Sequence, residues 1–454
     1  MMIPVANSSR RDRVKNTKRE QRLTLSVDNL TSEGEGVARR NRDVYFVPGA
    51  LPGEDVEVVL DGRRRKVWQT RLLTILKSSP QRTEPLCPHY QRCGGCDLQH
   101  LQYPAQVQFK QERVQRELAR QGAATDNWAA PITADPWHYR RKARLGVRFS
   151  KERGENFVGF REAASNHITN IDVCPVLPDN AALNWAFWRD CINGLQSRSL
   201  ITQIEALVAD NALALIFRIL KPLPVADQHQ LIEALNSVQS ELPLQLWLKT
   251  DKHAAAQRLW PADAEPLQHH VDELALTLQP DDFVQVNGAV NRAMVQQALD
   301  WLAPQTDEII WDLFAGHGNF SMPLAQRSAQ VYAVEGDQPM VSSLAAQAEK
   351  LALPLQAIRA DLDGSGGLQS LPDPDAVLLD PPRAGAAGIM NELTERRVPR
   401  IVYVSCDAAT LARDLSTLTD AGYCIRQAGI MDMFPQTHHV ETMVLLENKV
   451  KRHG

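Results

Sequence analysis

Apolar and polar positions along the chain follow three successive patterns. A polar, basic arm opens it (1–16, with Arg10, Arg11, Arg13 and Lys15), and residues 17–77 then alternate in short runs such as Leu23-Thr24-Leu25-Ser26-Val27 and Asp43-Val44-Tyr45-Phe46-Val47. Alternation with period two marks half-buried strands. The links Gly34-Glu35-Gly36 and Pro48-Gly49-Ala50-Leu51-Pro52-Gly53 mark turns. A run of short strands this size predicts a small OB-like β-barrel, a shape often used to hold single-stranded nucleic acid. Residues 78–273 mix the periods, with helices expected over 106–121, 182–194 and 227–240 and strands over 146–150, 212–219 and 244–249. That mixture predicts an α+β central domain. In 274–454 the strand-like runs become continuous, as in Val377-Leu378-Leu379 and Ile401-Val402-Tyr403-Val404, with helices expected over 291–302 and 408–418. Apolar strands alternating with helices are buried on both faces, so an α/β, Rossmann-like domain is expected there. Phe283-Val284-Gln285-Val286-Asn287 reads as a further strand leading into the first of those helices.

Composition changes this picture little: 44% hydrophobic and 23% charged residues describe an ordinary globular chain. No apolar run approaches the roughly 20 residues of a membrane helix, and the basic N-terminus lacks the apolar segment of a secretory signal. The expectation is a cytoplasmic protein with no membrane association. Charge changes it more. Residues 1–150 hold 27 Lys+Arg against 16 Asp+Glu, a net of +11, whereas residues 151–454 hold 23 against 38, a net of −15. A polyanion partner is therefore expected at the N-terminal third. Within that third, helix 106–121 carries Lys110, Arg113, Arg116 and Arg120, and Trp137-His138-Tyr139-Arg140-Arg141-Lys142-Ala143-Arg144 interleaves rings and cations. Stacking surfaces beside cations suit an unpaired base and its phosphates.

The seven cysteines argue against a disulfide framework, being odd in number and unevenly spaced. Cys87, Cys93 and Cys96 cluster as C-x5-C-x2-C, with Cys174-Pro175 as a distant fourth candidate and Cys191 as runner-up in an apolar, Trp-rich stretch. Thiols this close read as a metal site. A 4Fe–4S cluster takes four cysteines, which Cys174 would complete; structural zinc usually pairs two knuckles, and the second is missing. A set that binds no metal is the third reading. The C-x3-C-x2-C spacing of radical enzymes is absent.

Three strand ends in the last domain carry polar groups, and ligands bind outside the carboxyl ends of such strands. Asp312-Leu313-Phe314-Ala315-Gly316-His317-Gly318-Asn319-Phe320 is a strand entering a glycine turn that lets the backbone approach a nucleotide-like cofactor. Glu335 ends the next strand about twenty residues on, where an acid binds both ribose hydroxyls. Together they read as an S-adenosylmethionine-binding fold. Asp380-Pro381-Pro382-Arg383 ends another strand, and Cys406 with Asp407 ends the one after it. C5 of a pyrimidine lacks a nucleophilic lone pair, but a thiolate added at C6 makes C5 enolate-like and able to take a methyl group. A base must then remove the C5 proton. Cys406 supplies the thiol, its ionised form expected to gain from the N-terminus of the following helix. Glu441, in His438-His439-Val440-Glu441, is the candidate base.

These motifs resemble the RNA uridine-C5 methyltransferases, most closely their 23S ribosomal RNA branch, over nearly the whole chain. The barrel signature Gly34-Glu35-Gly36-Val37-Ala38 with Phe46-Val47-Pro48-Gly49 resembles the TRAM domain, an RNA-binding barrel. The resemblance implies Cys406 as nucleophile, Glu441 as proton-abstracting base, and Cys87, Cys93, Cys96 and Cys174 as ligands of a 4Fe–4S cluster. It implies that Gln285, Phe314, Asn319, Glu335 and Asp380 contact S-adenosylmethionine. Asp361, which stands where relatives usually have Asn, is carried over as a further cofactor contact, and Ala315 stands where they often have a non-nucleophilic Cys. The implied partner is 23S ribosomal RNA with an unstacked, flipped uridine, and no obligate protein partner is expected. The cluster, outside the catalytic motifs, is expected to be structural or RNA-positioning. Two rival readings are the same chemistry on another RNA, and an RNA-binding or iron-sensing protein with an idle methyltransferase domain.

Overall fold

A computed structural model of the chain describes residues 21–163, 165–251, 254–363 and 367–449. The basic arm 1–16 lies outside them. The chain divides between Arg82 and Thr83 into two compact units. The first is a closed barrel of β1 (Arg22–Leu30), β2 (Gly36–Arg40), β3 (Asp43–Val47), β4 (Asp55–Arg64) and β5 (Val67–Lys77), in the order β1-β2-β3-β5-β4. Alternate residues point inward, so Leu25, Val27, Ala38, Val47, Val56 and Val58 form the core. Gly36 is required by close approach: a Cβ there would stand 2.9 Å from the Ala50 carbonyl oxygen. Glu54 is fully buried yet satisfied, paired with Arg82 at 2.6 Å and accepting from the Leu51 and Ser79 amides.

In the second unit a seven-stranded sheet is built from β6 (Lys142–Ser150), β7 (Glu155–Arg161), β8 (Ile168–Asn170), β9 (Ile201–Val208), β10 (Leu213–Ile219), β11 (Leu244–Lys249) and β12 (Gln257–Trp260). Its order is β12-β11-β10-β9-β6-β7-β8, antiparallel except for β10–β11. The helices over this region are α2 (Trp185–Gly194) and α3 (Val225–Ser237), and Trp185, Trp188 and Phe217 are buried in its core. The helix preceding it, α1 (Tyr103–Arg120), does not pack here, as described below. A two-stranded hairpin, β13 (Leu267–Val271) with β14 (Leu274–Leu278), follows.

The last sheet holds β15 (Ile309–Leu313), β16 (Gln330–Glu335), β17 (Leu355–Arg359), β18 (Ala376–Leu379), β19 (Arg400–Ser405), β20 (Tyr423–Met431) and β21 (Glu441–Asn448). Its order is β17-β16-β15-β18-β19-β21-β20, with β21 antiparallel to both neighbours. The chain winds from β15 out to β17 and returns to β18 on the other side. That reversal opens a crevice at the carboxyl ends of β15 and β18. The connecting helices are α4 (Gly288–Leu302), α5 (Ser321–Ala325), α6 (Gln338–Lys350), α7 (Ala387–Glu395) and α8 (Ala408–Asp420). The first begins three residues earlier than its apolar period indicates because Asn287 caps it, accepting from the Val290 amide at 3.2 Å.

Two sequence expectations meet corrections. Residues 283–287 form no strand; one isolated bridge joins Asn287 to Arg140, and Phe283 and Gln285 turn toward cavities instead. Helix α1 packs on α8, placing Val114 and Leu118 in the last sheet's core. Behind it, residues 127–132 run parallel to β20, the Ala129 amide donating to Ala428 at 2.7 Å and the Ile132 amide to Ile430 at 2.9 Å.

Candidate active site

The glycine turn after β15 is shaped by three left-handed residues, Phe314 (φ 63°), Gly316 (φ 55°) and Gly318 (φ 88°). Phenylalanine there is strained by roughly 1 kcal/mol or more, a conformation held by its surroundings and frequent at functional sites. A Cβ at Gly318 would meet Leu344 at 2.6 Å. Glu335 fastens the turn to β16, accepting from Gly316 at 3.0 Å, Gly336 at 2.8 Å and Asp337 at 3.0 Å. Phe314, Gly316, Glu335, Asp361 and Asp380 line a cavity of about 380 Å³. Asn319 does not line it: its amide exchanges two hydrogen bonds with that of Asn291, at 2.8 and 3.0 Å.

A second cavity of about 730 Å³ contains Cys406, Glu441, Arg383 and Gln285 on its walls, and Phe283, Asp380 and Pro382 line both cavities. Cys406 and Glu441 come together because β19 and β21 are neighbours, with Ser405 opposite Thr442. Burial pushes the Cys406 thiol up to about 11; the Glu441 and Asp380 charges add to this, and Arg383, which hydrogen-bonds the sulfur, opposes it. The helix expected to help is α8. Asp407 caps that helix, accepting from Ala409 and Thr410 at 3.0 Å each, so those amides are already taken. Burial likewise raises Glu441 well above the usual carboxylate range, with Asp380 adding and Arg383 opposing. Asp380 rises to about 7 through burial alone. His439 stands with Nδ1 3.4 Å from the Arg383 guanidinium, and burial, His438 and Arg383 drive it down to about 4, so it is neutral. His438 bonds Asp97 at 2.7 Å. These histidines were not singled out from sequence, although they stand two and three residues before Glu441.

Cys87, Cys93, Cys96 and Cys174 line the same cavity as Cys406. The cysteine loop is pinned to the end of β7, the Gly94 amide donating to Arg161 at 2.9 Å and the Ala163 amide to Arg92 at 3.1 Å. The Asp97 and Leu98 amides donate to the Gln436 carbonyl, tying the loop's other end to the segment before Glu441. Burial raises Cys96 to about 12 and Cys174 to about 11, and the charges of the other thiols add to both. Among the described residues no three His, Cys, Asp or Glu side chains are arranged to hold a single metal ion. Cys191 packs against the central core.

The cations expected to meet nucleic acid divide. Lys110 is fully buried, 2.6 Å from Asp432 and 3.0 Å from the Phe434 carbonyl, and is not available to a ligand. Arg141 pairs with Asp210 and with His269 at 2.8 Å, and Lys142 donates to the Pro280 and Asp282 carbonyls. Tyr139, Arg140 and Arg144 line the large cavity, and Arg116 is exposed. Among the described residues no helix is long and apolar enough to cross a membrane.

Comparison with known proteins adds the following. A family model described as tRNA (Uracil-5-)-methyltransferase matches residues 102–359 and 369–449, and a TRAM domain model matches residues 16–67. The chain is 40% identical over 443 residues to the 23S rRNA (uracil(1939)-C(5))-methyltransferase RlmD of Shewanella frigidimarina, covering 94% of this chain and 96% of that protein. It is 40% identical over 427 residues to the enzyme of the same name in Pseudomonas putida, covering 93% of each. The crystal structure of Pyrococcus abyssi tRNA (uracil-54, C5)-methyltransferase in complex with S-adenosyl-L-homocysteine superposes with a TM-score of 0.74 at 22% identity, covering 93% of this chain and 100% of that one.

Proposed function

The chain belongs to the RNA uracil-C5-methyltransferase family, and from that premise we propose that it methylates C5 of a uridine in 23S ribosomal RNA, the base being unstacked and turned into the larger cavity. One juxtaposition carries this reading: Cys406 and Glu441 line a cavity that meets the glycine-turn cavity at Phe283, Asp380 and Pro382. S-adenosylmethionine, when bound, supplies a methyl group on a positively charged sulfur. Glu335 is oriented by three amides and keeps acceptor capacity for a ribose hydroxyl, and Phe314, Asp361 and Asp380 line the same cavity. Gln285 faces the reacting side, and Asn319 acts through its amide pair with Asn291.

Cys406, steadied as thiolate by Arg383, bonds C6 of the uracil, and the C5–C6 π electrons pass into an enolate. C5, made nucleophilic by that addition, would then take the methyl group that S-adenosylmethionine, held by Glu335, Phe314, Asp361 and Asp380, would supply, the bonding pair remaining on the cofactor's sulfur. Glu441, as carboxylate, takes the C5 proton; the C–H pair rebuilds the double bond and expels Cys406. A raised carboxyl is a stronger base once ionised, which suits this last step. RNA carrying 5-fluorouridine tests the scheme. Fluorine does not leave as a proton, so the enzyme should remain covalently joined to the RNA, and Cys406→Ala should abolish both adduct and turnover. Turnover by that variant removes Cys406 from the mechanism. Separate 23S and tRNA transcripts decide the substrate.

We assign Cys87, Cys93, Cys96 and Cys174 to a 4Fe–4S cluster, with the barrel over 17–77 meeting RNA, a central domain over 78–273 and the catalytic domain over 274–454. The donor set supports the cluster: four thiols line one cavity, each within electrostatic reach of the others. Bound there, the cluster would supply a rigid cross-link between the cysteine loop and the segment after β8 that carries Cys174. Protein purified without oxygen should contain iron and show broad visible absorbance; zinc without that absorbance defeats the assignment. Acting on ribosomal RNA, the protein is assigned to the cytoplasm.

A further inference from the structure

Resting on the cofactor reading above, we infer that His317 is an additional cofactor-binding residue that donates a hydrogen bond to the α-carboxylate of the methionine tail of S-adenosylmethionine. His317 stands between the two glycines of the turn and lines the 380 Å³ cavity. Its side chain is mostly buried; Nδ1 has no hydrogen-bond partner, and Nε2 has only the Asp282 carboxylate at ion-pair distance. Leaving such a group unsatisfied costs about 1–3 kcal/mol, so a ligand contact is the economical account of it. The other ionisable groups on that wall are all acids: Glu335, Asp361, Asp363 and Asp380. Acids suit the ribose hydroxyls, the ammonium and the sulfonium. None suits the carboxylate, the cofactor's one anionic group, and His317 is the one lining side chain able to serve it as a donor.

Position agrees with chemistry. Glu335 fixes the ribose end, and the methyl must face the junction at Phe283, Asp380 and Pro382. The tail leaves the same sulfur, so it lies near that junction. His317 is on that side, its Nε2 3.5 Å from Oδ1 of Asp282, the residue before Phe283. Asp282 is itself fixed: its Oδ2 accepts from the Gln279 amide at 2.7 Å and its carbonyl from Lys142 at 2.6 Å, while neighbouring Asp281 pairs with Lys249 at 2.8 Å. The imidazole is thus placed to bridge Asp282 and the cofactor carboxylate.

The test is calorimetric titration of full-length wild type, His317→Leu and His317→Gln with S-adenosylhomocysteine and with decarboxylated S-adenosylmethionine. The leucine variant should bind S-adenosylhomocysteine about tenfold more weakly, about 1.4 kcal/mol, and the decarboxylated ligand unchanged. Glutamine, which keeps a donor, should restore much of the loss. Equal losses for both ligands, or none, overturn the assignment. Should the leucine variant unfold, His317→Ala, which also lacks a donor, decides by the same comparison. Wild type that binds neither ligand overturns the cofactor reading itself, and this inference with it.

Discussion

Cys406 has an arginine and two carboxyl groups for neighbours, and the balance among them sets the chemistry. Burial and then the acids raise its pKa and Arg383 lowers it, so adduct formation should accelerate as pH rises toward about 11. In the proposed scheme Glu441 has the opposite duty, accepting a proton late. Glu441→Gln should leave adduct formation intact and slow turnover by roughly 10²–10⁴-fold, with the methylated RNA–protein adduct accumulating on denaturing gels. Prompt product release from that variant removes Glu441 from the scheme. Asp312, fully buried on β15 and bonded by Ser321, is raised to about 7 by burial, with Asp380 and Glu335 adding. Its folded pKa exceeds the unfolded one, so the native state holds the extra proton. Its share of stability is complete below about pH 4 and is lost as pH rises through about 7. Asp312→Asn removes that dependence. In urea unfolding the variant should gain on wild type by a few kcal/mol, roughly, between acid and mildly alkaline pH; parallel curves would contradict it.

Among elements, α1 is held to the catalytic sheet by a buried ion pair between Lys110 and Asp432 and by the amide exchange between Gln106 and Gln436. Removing one member of such a pair strands a charge, and Lys110→Met should cost about 3–5 kcal/mol. Lys110→Met with Asp432→Leu should recover most of it, because desolvation of both charges is relieved. Chemical denaturation of the two single variants and the double variant measures this; a double variant no better than Lys110→Met would show that the pair acts beyond its charge. The segment after Asp432 reaches His438 and Glu441, so the single variant should also lose activity. That dependence was invisible in the text of α1, where Lys110 reads as one cation in a row of four. The helix's apolar face was legible from its period; the element it covers was not.

At the scale of the whole molecule, the excess of positive charge in the first third predicts salt-sensitive RNA binding. On the barrel, Arg64, Arg65 and Lys66 are exposed around the turn between β4 and β5. Replacing all three by alanine should weaken RNA binding and reduce the slope of log affinity against log salt by up to about 2–3, near 0.7–0.9 per phosphate contact. Affinity for S-adenosylhomocysteine should not change. Fluorescence anisotropy at several salt concentrations checks this, and an unaltered slope excludes these cations from the interface.

The barrel, the last sheet and the residues at its strand ends were readable from sequence, because strand period, glycine turns and apolar runs are local properties of the chain. Cys406, Glu335 and Asp380 could be chosen since a polar residue closing a buried strand has few places to point. Which residues share a cavity was decided only by folding. Topology brings Glu441, on an antiparallel strand, beside Cys406, and lines the same cavity with the four clustered thiols. Electrostatics was decided there as well: one lysine of a basic helix is sealed against Asp432, and Asp407 caps the helix expected to aid the thiolate. Burial and partner choice depend on residues hundreds of positions apart, and no local pattern records them.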